Sequence, residues 1–114
     1  MTDRTLYGIA NCDTVRRARR ELTAAGVAHR FHDFRKDGLS PEKLDHWISR
    51  VGWENLLNRR GTTWRRLPAE QREPLDAERA RRLMLAEPTL VRRPVFEMDG
   101  EVYVGWSAEH PALR

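Results

Sequence analysis

Residues 4–34 of the chain, RTLYGIANCDTVRRARRELTAAGVAHRFHDF, contain the pattern of a strand, a helix and a second strand. The apolar run at residues 4–8 ends at a glycine and predicts the first strand. Apolar side chains then recur every three or four residues, as on the buried face of a helix, and Gly26 is typical of a helix end. That face consists of Val15, Ala18, Leu22 and Ala25. Residues 27–34 predict the second strand, which a right-handed crossover leaves parallel to the first.

The segment from about residue 40 to residue 90 is predicted to be helical throughout. Ser40 and Pro41 are a strong helix start, because serine is a good N-cap and proline fits the first helical position. Gly52 is expected to end this helix. Its apolar positions are Leu44, Trp47, Ile48 and Val51. The further helical segments predicted here are residues 53–57, 62–67 and about 76–87.

Strands are predicted again after the helical segment. Residues 94–98 and 101–105 flank Asp99-Gly100, and a two-residue Asp-Gly connection favours a hairpin with a type I′ turn. The order of elements predicts a single α/β domain over residues 1–114. Its sheet is expected to be mixed, and the helical segment, about 40–90, is an insertion between the strand-helix-strand unit and the hairpin.

Length and composition exclude several classes of protein. A chain of 114 residues supports one compact domain and leaves no room for separate cofactor and substrate halves. Apolar residues make up 39% and charged residues 33% of the chain, which is typical of a globular protein rather than a disordered one. No apolar run approaches the roughly 18 to 20 residues that a transmembrane helix needs.

Neither end of the chain carries a strong signal. The start, residues 1–7, lacks the basic and then apolar layout of a signal peptide, so we expect a cytoplasmic protein without membrane association. Residues 107–114 are few for a final helix after the hairpin, and that helix is therefore expected to be stunted or missing.

The charge of the chain indicates an affinity for anions. The net charge is +4, and all but two of the 21 basic residues are arginines. Such a balance does not choose among nucleic acid, a membrane surface and small oxyanions. Four of the arginines form a basic helix face, but no helix-turn-helix, RNP or zinc-finger pattern accompanies it, so nucleic-acid binding is disfavoured and a solvated helix surface is preferred. These four are Arg16, Arg17, Arg19 and Arg20.

Cys12 is the only cysteine of the chain. A single cysteine excludes an internal disulfide, a CxxC redox pair and a cysteine-based zinc site. The four histidines show no metal-binding spacing, so no metal site is predicted. Any thiol chemistry in this protein therefore needs a second thiol from outside the chain.

The position of Cys12 favours a reactive thiol. It follows the first predicted strand and immediately precedes the helix, where unpaired backbone N–H groups and the helix dipole stabilise a thiolate. Arg16 lies one helical turn further on and is expected on the same side. The alternative is an inert, buried cysteine. The polar neighbours Asn11, Asp13 and Thr14 argue against that alternative.

Arg93 and Pro94 open the predicted hairpin. A proline at the first residue of a strand favours the interpretation of a cis X-Pro bond, which turns the preceding backbone toward a substrate. Arg93 is then expected beside the bend, although trans bonds are the more frequent form.

Four separated motifs carry a family resemblance. They are LYGIANCDT at 6–14, FHDFR at 31–35, LLNRRGTTWR at 56–65 and VRRPV at 91–95. Together they resemble the arsenate-reductase-related family that includes ArsC, Spx and YffB, and most closely its YffB branch. The resemblance implies a thioredoxin-like fold with a helical insertion and a single thiol at the head of the first helix.

The resemblance also implies roles for individual residues. Cys12 matches the nucleophilic cysteine of the family, Arg93 its oxyanion-binding arginine and Pro94 its cis-proline. Arsenate-reducing members have further arginines at positions that are Asn58 and Gly105 here.

Other positions depart from the family pattern as well. Arg59 and Arg60 are adjacent to Asn58 and are candidate substitutes for the missing arginines. Gly8 stands where arsenate-reducing members have a histidine, and Val15 stands at the fourth position of the CxxC motif that is common in Spx-type regulators. These departures disfavour arsenate reduction and exclude redox sensing by an internal disulfide.

The leading hypothesis is a glutathione-dependent thiol or disulfide reductase with Cys12 as nucleophile. No bound cofactor is expected, and glutathione is the expected co-substrate. The other substrate is a small thiol, disulfide or oxyanion. A glutaredoxin is a further candidate partner, and a monomer is expected. The predicted binding residues are Asn11, Arg16, Asn58, Arg59, Arg60, Arg93 and Pro94.

Two alternatives remain open. The first is a non-enzymatic, Spx-like interaction module that binds a transcription protein through its insertion, with Trp47, Trp53 and Trp64 as candidate anchors. Trp47 lies on the apolar helix face, so it is expected in the core instead. The second alternative is an arsenate reductase.

Overall fold

The computed structural model describes residues 4–114, which form two compact units. The sheet unit comprises residues 4–37 and 93–114, and the helical unit comprises Gly38–Arg92. Residues 1–3 lie outside the described residues. They are part of the start, residues 1–7, whose pattern lacks the layout of a signal peptide. Within residues 4–114, none of the helices has the length and apolar character needed to cross a membrane.

The sheet unit is built on a mixed four-stranded sheet. Its strands are β1 Arg4–Gly8, β2 Arg30–Asp33, β3 Val95–Met98 and β4 Glu101–Val104, in the spatial order β2-β1-β3-β4. β1 runs parallel to β2 and antiparallel to β3, and β3 runs antiparallel to β4. The predicted α/β, thioredoxin-like order of elements is confirmed.

Helix α1, Asp13–Ala24, covers this sheet with the predicted apolar face. Val15 and Leu22 are fully buried in one cluster with Leu6 and Phe96 of the sheet. The prediction was wrong for Ala25, which is exposed. The helix ends at Ala24 and Ala25 is its C-cap, so the last member of the apolar repeat falls outside the helix.

The hairpin has the predicted connection. Asp99 and Gly100 have φ angles of 55° and 83°, and Met98 faces Glu101 across the turn. Two positive φ angles in a two-residue loop are the mark of a type I′ turn, whose twist matches that of the strands.

Strand β2 is shorter than predicted. It ends at Asp33 because Phe34–Asp37 forms a short helix, α2. The Asp33 carboxylate accepts a hydrogen bond from the Arg35 N–H at 2.9 Å, and the Asp37 carboxylate accepts one from the Asp33 N–H at 3.3 Å. These local bonds turn the chain from strand to helix.

The helical unit holds five helices, one more than predicted. They are α3 Pro41–Val51, α4 Trp53–Leu56, α5 Thr62–Arg66, α6 Ala69–Arg72 and α7 Ala77–Ala86. Helix α6 is a single turn after Pro68 and has no apolar period of its own. An ion pair between Asp45 and Arg81, with Nε and Oδ1 2.7 Å apart, joins α3 to α7. Trp47 is fully buried, as expected for a core residue, and therefore offers no anchor to a partner.

Candidate active site

The sheet register gathers the predicted site residues of the sheet unit at one end of the sheet. Tyr7 pairs with Val95, so Pro94 continues beside Gly8, the last residue of β1. The loop that carries Cys12 leaves β1 from this same residue. The Cys12 loop, at the carboxyl end of β1, and the start of the antiparallel β3 therefore lie at the same end of the sheet.

Cys12 is the N-cap residue of α1 and is half-buried. Its backbone is extended, with φ −143° and ψ 123°, and its carbonyl accepts the Arg16 N–H at 2.9 Å. The thiol makes no capping hydrogen bond and is not in a disulfide. It packs against the buried cluster of the sheet unit, so its direction is set by the core while part of it stays accessible.

Gly8 fixes the distance between β1 and the first turn of α1. A Cβ atom at position 8 would lie 2.6 Å from Cγ2 of Val15. Val15 is fully buried and β-branched, so it has little freedom to move away. Position 8 consequently has no room for the histidine that the resemblance to arsenate-reducing proteins implies there.

Arg16 faces the Cys12 loop, as expected. Its Nη1 donates to Oδ1 of Asn11 at 3.3 Å, and its Nη2 pairs with the carboxylate of Asp13. Asn11, Asp13 and Arg16 thus form a polar cluster around the start of α1. Asp13 was not predicted as a site residue, although its spacing of three residues from Arg16 is the signal that would have identified it.

Arg93 and Pro94 are joined by a cis peptide bond, as the sequence and the resemblance indicated. Pro94 is buried and Arg93 is half-buried. The Pro94 carbonyl accepts the Gly105 N–H at 2.8 Å, which connects the bend to the end of β4. Proline has no N–H, so the one backbone N–H of this pair of residues belongs to Arg93.

Asn58, Arg59 and Arg60 lie in the helical unit, in the loop between α4 and α5. The Asn58 N–H donates to the Leu90 carbonyl at 2.7 Å. The Asn58 side chain is used inside its own loop, where Oδ1 accepts the Arg60 N–H at 3.0 Å. Arg59 and Arg60 are exposed. Cys12 and the other four predicted residues, Asn11, Arg16, Arg93 and Pro94, all belong to the sheet unit. The roles of Asn58, Arg59 and Arg60 remain a prediction.

A buried histidine near the C-terminus was missed by the sequence analysis. His110 precedes a 3-10 turn, Pro111–Leu113, which takes the place of a longer final helix. Its Nδ1 accepts the Ala112 N–H at 3.0 Å, and its ring stacks on Trp106 with centroids 4.3 Å apart. Burial lowers the pKa of His110, so the neutral ring is favoured.

Glu21 of α1 has two side-chain partners. Glu21 accepts hydrogen bonds from Nε of Arg17 at 2.8 Å and from the Trp106 indole at 3.0 Å. These two bonds, the Arg17 bond first, lower the pKa of Glu21.

Among residues 4–114, no group of three or more His, Cys, Asp or Glu side chains is placed to hold a metal ion.

Comparisons with known proteins agree with the resemblance. The sequence model of the ArsC family matches residues 7–112. An uncharacterized protein of Haemophilus influenzae is 39% identical over 103 residues, which are 90% of each chain. The solved YffB protein is 43% identical over 91% of each chain, with a TM-score of 0.88. An arsenate reductase (ArsC) related protein from Brucella melitensis is 50% identical, covers 93% of this chain and 88% of its own, and has a TM-score of 0.78. On the extent of these matches, the chain belongs to the ArsC family.

Proposed function

We propose that this protein is a glutathione-dependent thiol/disulfide reductase in which Cys12 is the nucleophile. The observation that carries the proposal is the sheet register, which sets the Arg93–Pro94 bend beside the residue from which the Cys12 loop leaves β1. A half-accessible thiol without a capping bond and an arginine at the neighbouring strand entry are the two groups that such a reaction needs.

The reaction is written for a glutathionylated thiol, R–S–S–G. The Cys12 thiolate attacks the glutathione sulfur, the S–S bond breaks, and the thiolate RS⁻ leaves and takes up a proton. The product on the protein is a Cys12–glutathione disulfide. A second glutathione thiolate attacks the glutathione sulfur of that disulfide, which releases glutathione disulfide and the Cys12 thiolate. Overall, R–S–S–G and one glutathione thiol give R–SH and glutathione disulfide, so the sulfur of R is reduced while the sulfur of the incoming glutathione is oxidised.

The positive groups near Cys12 suit the two carboxylates of glutathione. Arg16 and Arg93 each offer a fork of N–H donors that binds a carboxylate in two places. Arg16 is paired with Asp13, but the side chain of Asp13 is 95% exposed. An exposed ion pair of this kind is weak, and a glutathione carboxylate can replace Asp13 at modest cost. Asn11 holds Arg16 on the Cys12 side. Asn58, Arg59 and Arg60 are proposed as further ligands.

Arsenate reduction is the second candidate, because the Brucella melitensis relative is described as related to an arsenate reductase. In that case Cys12 would attack the oxyanion instead of a disulfide. We rank it lower because glycines occupy positions 8 and 105, where arsenate-reducing members of the family have a histidine and an arginine.

The test is turnover of the mixed disulfide of glutathione and 2-mercaptoethanol, followed as glutathione disulfide formed. We expect wild type to turn over, and Arg93→Ala to raise the KM for glutathione by about tenfold, the effect of losing a hydrogen-bonded ion pair. Arg66→Ala, which removes an exposed arginine of α5, is the matched control and is expected to leave KM unchanged. A wild-type protein that reduces arsenate but not the mixed disulfide would overturn the proposal.

A further inference from the structure

The exposed side of α1 forms an open groove whose first lining residue, Arg16, lies one helical turn after Cys12. The groove is lined by Arg16, Arg19, Arg20, Thr23 and Ala24. These positions are separated by three, four, seven and eight residues, so they share one face of the helix. Cys12 lies four positions before Arg16 and heads the same face. The groove therefore leads away from the proposed nucleophile along the helix.

The arginines of the groove are positioned by neighbouring groups. The guanidinium carbon of Arg19 lies 4.2 Å from the centre of the Phe31 ring. A cation held over an aromatic ring keeps its N–H donors directed outward for a carboxylate. Arg17 pairs with Glu21 and does not line the groove. Arg19 and Arg20 are consequently the cations that this surface offers beyond Arg16.

The length of the groove exceeds what glutathione can span. Arg19 and Arg20 lie seven and eight positions after Cys12, which is about 10 to 12 Å along the helix axis. An extended peptide covers about 3.3 Å per residue, so about three or four residues are needed to reach them from a cysteine at Cys12. Glutathione has only one residue on each side of its cysteine. A longer chain is needed to use both ends of the groove.

We infer that this groove docks an acidic polypeptide segment whose disulfide-bonded cysteine lies three or four residues from Asp or Glu. The inference rests on the proposed function and names the substrate as a glutathionylated protein. The products are then the free thiol of that protein and glutathione disulfide. A peptide fits better than a nucleic acid, because Asp13 at the head of α1 would repel a continuous phosphate backbone, whereas a peptide can place its carboxylates at Arg19 and Arg20 alone.

Two glutathionylated nonapeptides with one central cysteine test this inference. One carries Glu at the third and fourth positions on both sides of the cysteine, and the other carries Gln there. Wild type is expected to reduce the Glu peptide with a kcat/KM about tenfold higher, the combined effect of two exposed ion pairs, and to lose the preference in high salt. Arg19→Glu/Arg20→Glu is expected to remove the preference. Turnover of the 2-mercaptoethanol mixed disulfide is expected to be unchanged in this variant.

The matched control is Arg66→Glu/Arg82→Glu, which makes the same charge change at two exposed arginines of the helical unit. We expect it to keep the preference for the Glu peptide. Arg19→Gln/Arg20→Gln removes the same cations without adding negative charge. It is also expected to weaken the preference for the Glu peptide over the Gln peptide. Equal rates for the Glu and Gln peptides in wild type would overturn the inference.

Binding without chemistry separates this inference from the proposed function. Cys12→Ser protein is titrated into fluorescent, unglutathionylated Glu and Gln peptides and into a single-stranded RNA of twelve nucleotides or so, the last probing phosphate contacts. Preferential binding of the Glu peptide, lost in the Arg19→Glu/Arg20→Glu background, supports the groove even if no disulfide substrate is turned over. In that case only the proposed reductase activity fails. RNA that binds more tightly than the Glu peptide through these arginines overturns the inference.

Discussion

Helices α1 and α3 begin in different ways. At α3, Oγ of Ser40 accepts the Lys43 N–H at 3.1 Å and Pro41 takes the first helical position. Helix α7 begins similarly, since Asp76 accepts the Arg79 N–H at 2.9 Å. At α1, Cys12 occupies the N-cap position and its side chain makes no such bond.

This difference separates a structural helix start from a functional one. Ser40 satisfies a backbone donor, so helix stability alone explains the residue found there. The Cys12 side chain accepts no hydrogen bond from the corresponding backbone N–H groups of α1. Helix stability therefore does not explain a thiol at this position. A residue that breaks a local rule in an otherwise regular element marks a site where function sets the choice. Four substitutions, at Gly8, at Ser40, at Cys12 and at His110, test and sharpen this comparison.

The largest effect on stability is expected at Gly8, the last residue of β1. Gly8→Ala places a methyl group against Val15, and overpacking of this kind costs about 1 to 3 kcal/mol. Urea unfolding of the single variants and of Gly8→Ala/Val15→Ala measures the clash. The double variant should be less destabilised than the sum of the two single changes, because the smaller residue at position 15 makes room. Strict additivity would show that the close approach is absent.

Removal of the cap of α3 is expected to cost less. Ser40→Ala deletes the bond to the Lys43 N–H and should lower the free energy of unfolding by about 1 kcal/mol. Ser40→Asp keeps a capping oxygen and serves as the control. Turnover of the glutathione mixed disulfide should be unaffected in both proteins. A loss of turnover in Ser40→Ala with unchanged stability would reverse the roles assigned to the two helix starts.

Conversion of Cys12 to serine is expected to stabilise the protein. Serine is a favoured N-cap, so Cys12→Ser should raise the free energy of unfolding by up to about 1 kcal/mol while it abolishes turnover. Cys12→Ala lacks both the thiol and the capping oxygen and is the matched control. If serine destabilises as much as alanine, then the thiol has a structural role that its missing cap bond does not indicate.

The smallest effect is expected at the 3-10 turn near the C-terminus, where the capping side chain titrates. Nδ1 of His110 accepts the Ala112 N–H only while it is unprotonated. Burial lowers the pKa of His110 below its ordinary 6.5, so the unfolded chain takes up a proton at a higher pH than the folded one. Stability is therefore complete above about pH 6.5 and declines as the pH falls below it toward the folded pKa.

His110→Asn tests this linkage, because an amide oxygen can still accept the Ala112 N–H but does not titrate in this range. The difference in unfolding free energy between wild type and His110→Asn should shift against wild type between pH 7.5 and pH 5.5. Parallel pH profiles for the two proteins would contradict the assignment.

Much of this fold follows from local sequence signals. The apolar period of α1, the Ser40–Pro41 start and the Asp-Gly turn each act within a few residues, and each element appears where its signal lies. The end of β2 was placed too late because side-chain bonds of Asp33 and Asp37, rather than an apolar period, turn the chain into α2.

The site itself depends on distant parts of the chain. Cys12 and Arg93 are brought to one end of the sheet by the β1–β3 register, which no local pattern specifies. The burial of His110 depends on side-chain placement in the folded protein. Such features escape a sequence analysis because they result from packing rather than from propensity.

The most direct test of the account moves the thiol from one helix start to the other. Cys12→Ser/Ser40→Cys carries its single cysteine at the head of α3, where the helix dipole is similar but the surroundings of Cys12 are missing. With the glutathione and 2-mercaptoethanol mixed disulfide as substrate, we expect wild type to turn over at least about a hundredfold faster than this variant, since orientation of bound groups is worth that much. A relocated thiol that works as fast as Cys12 would contradict the account, because any thiol at a helix start would then suffice.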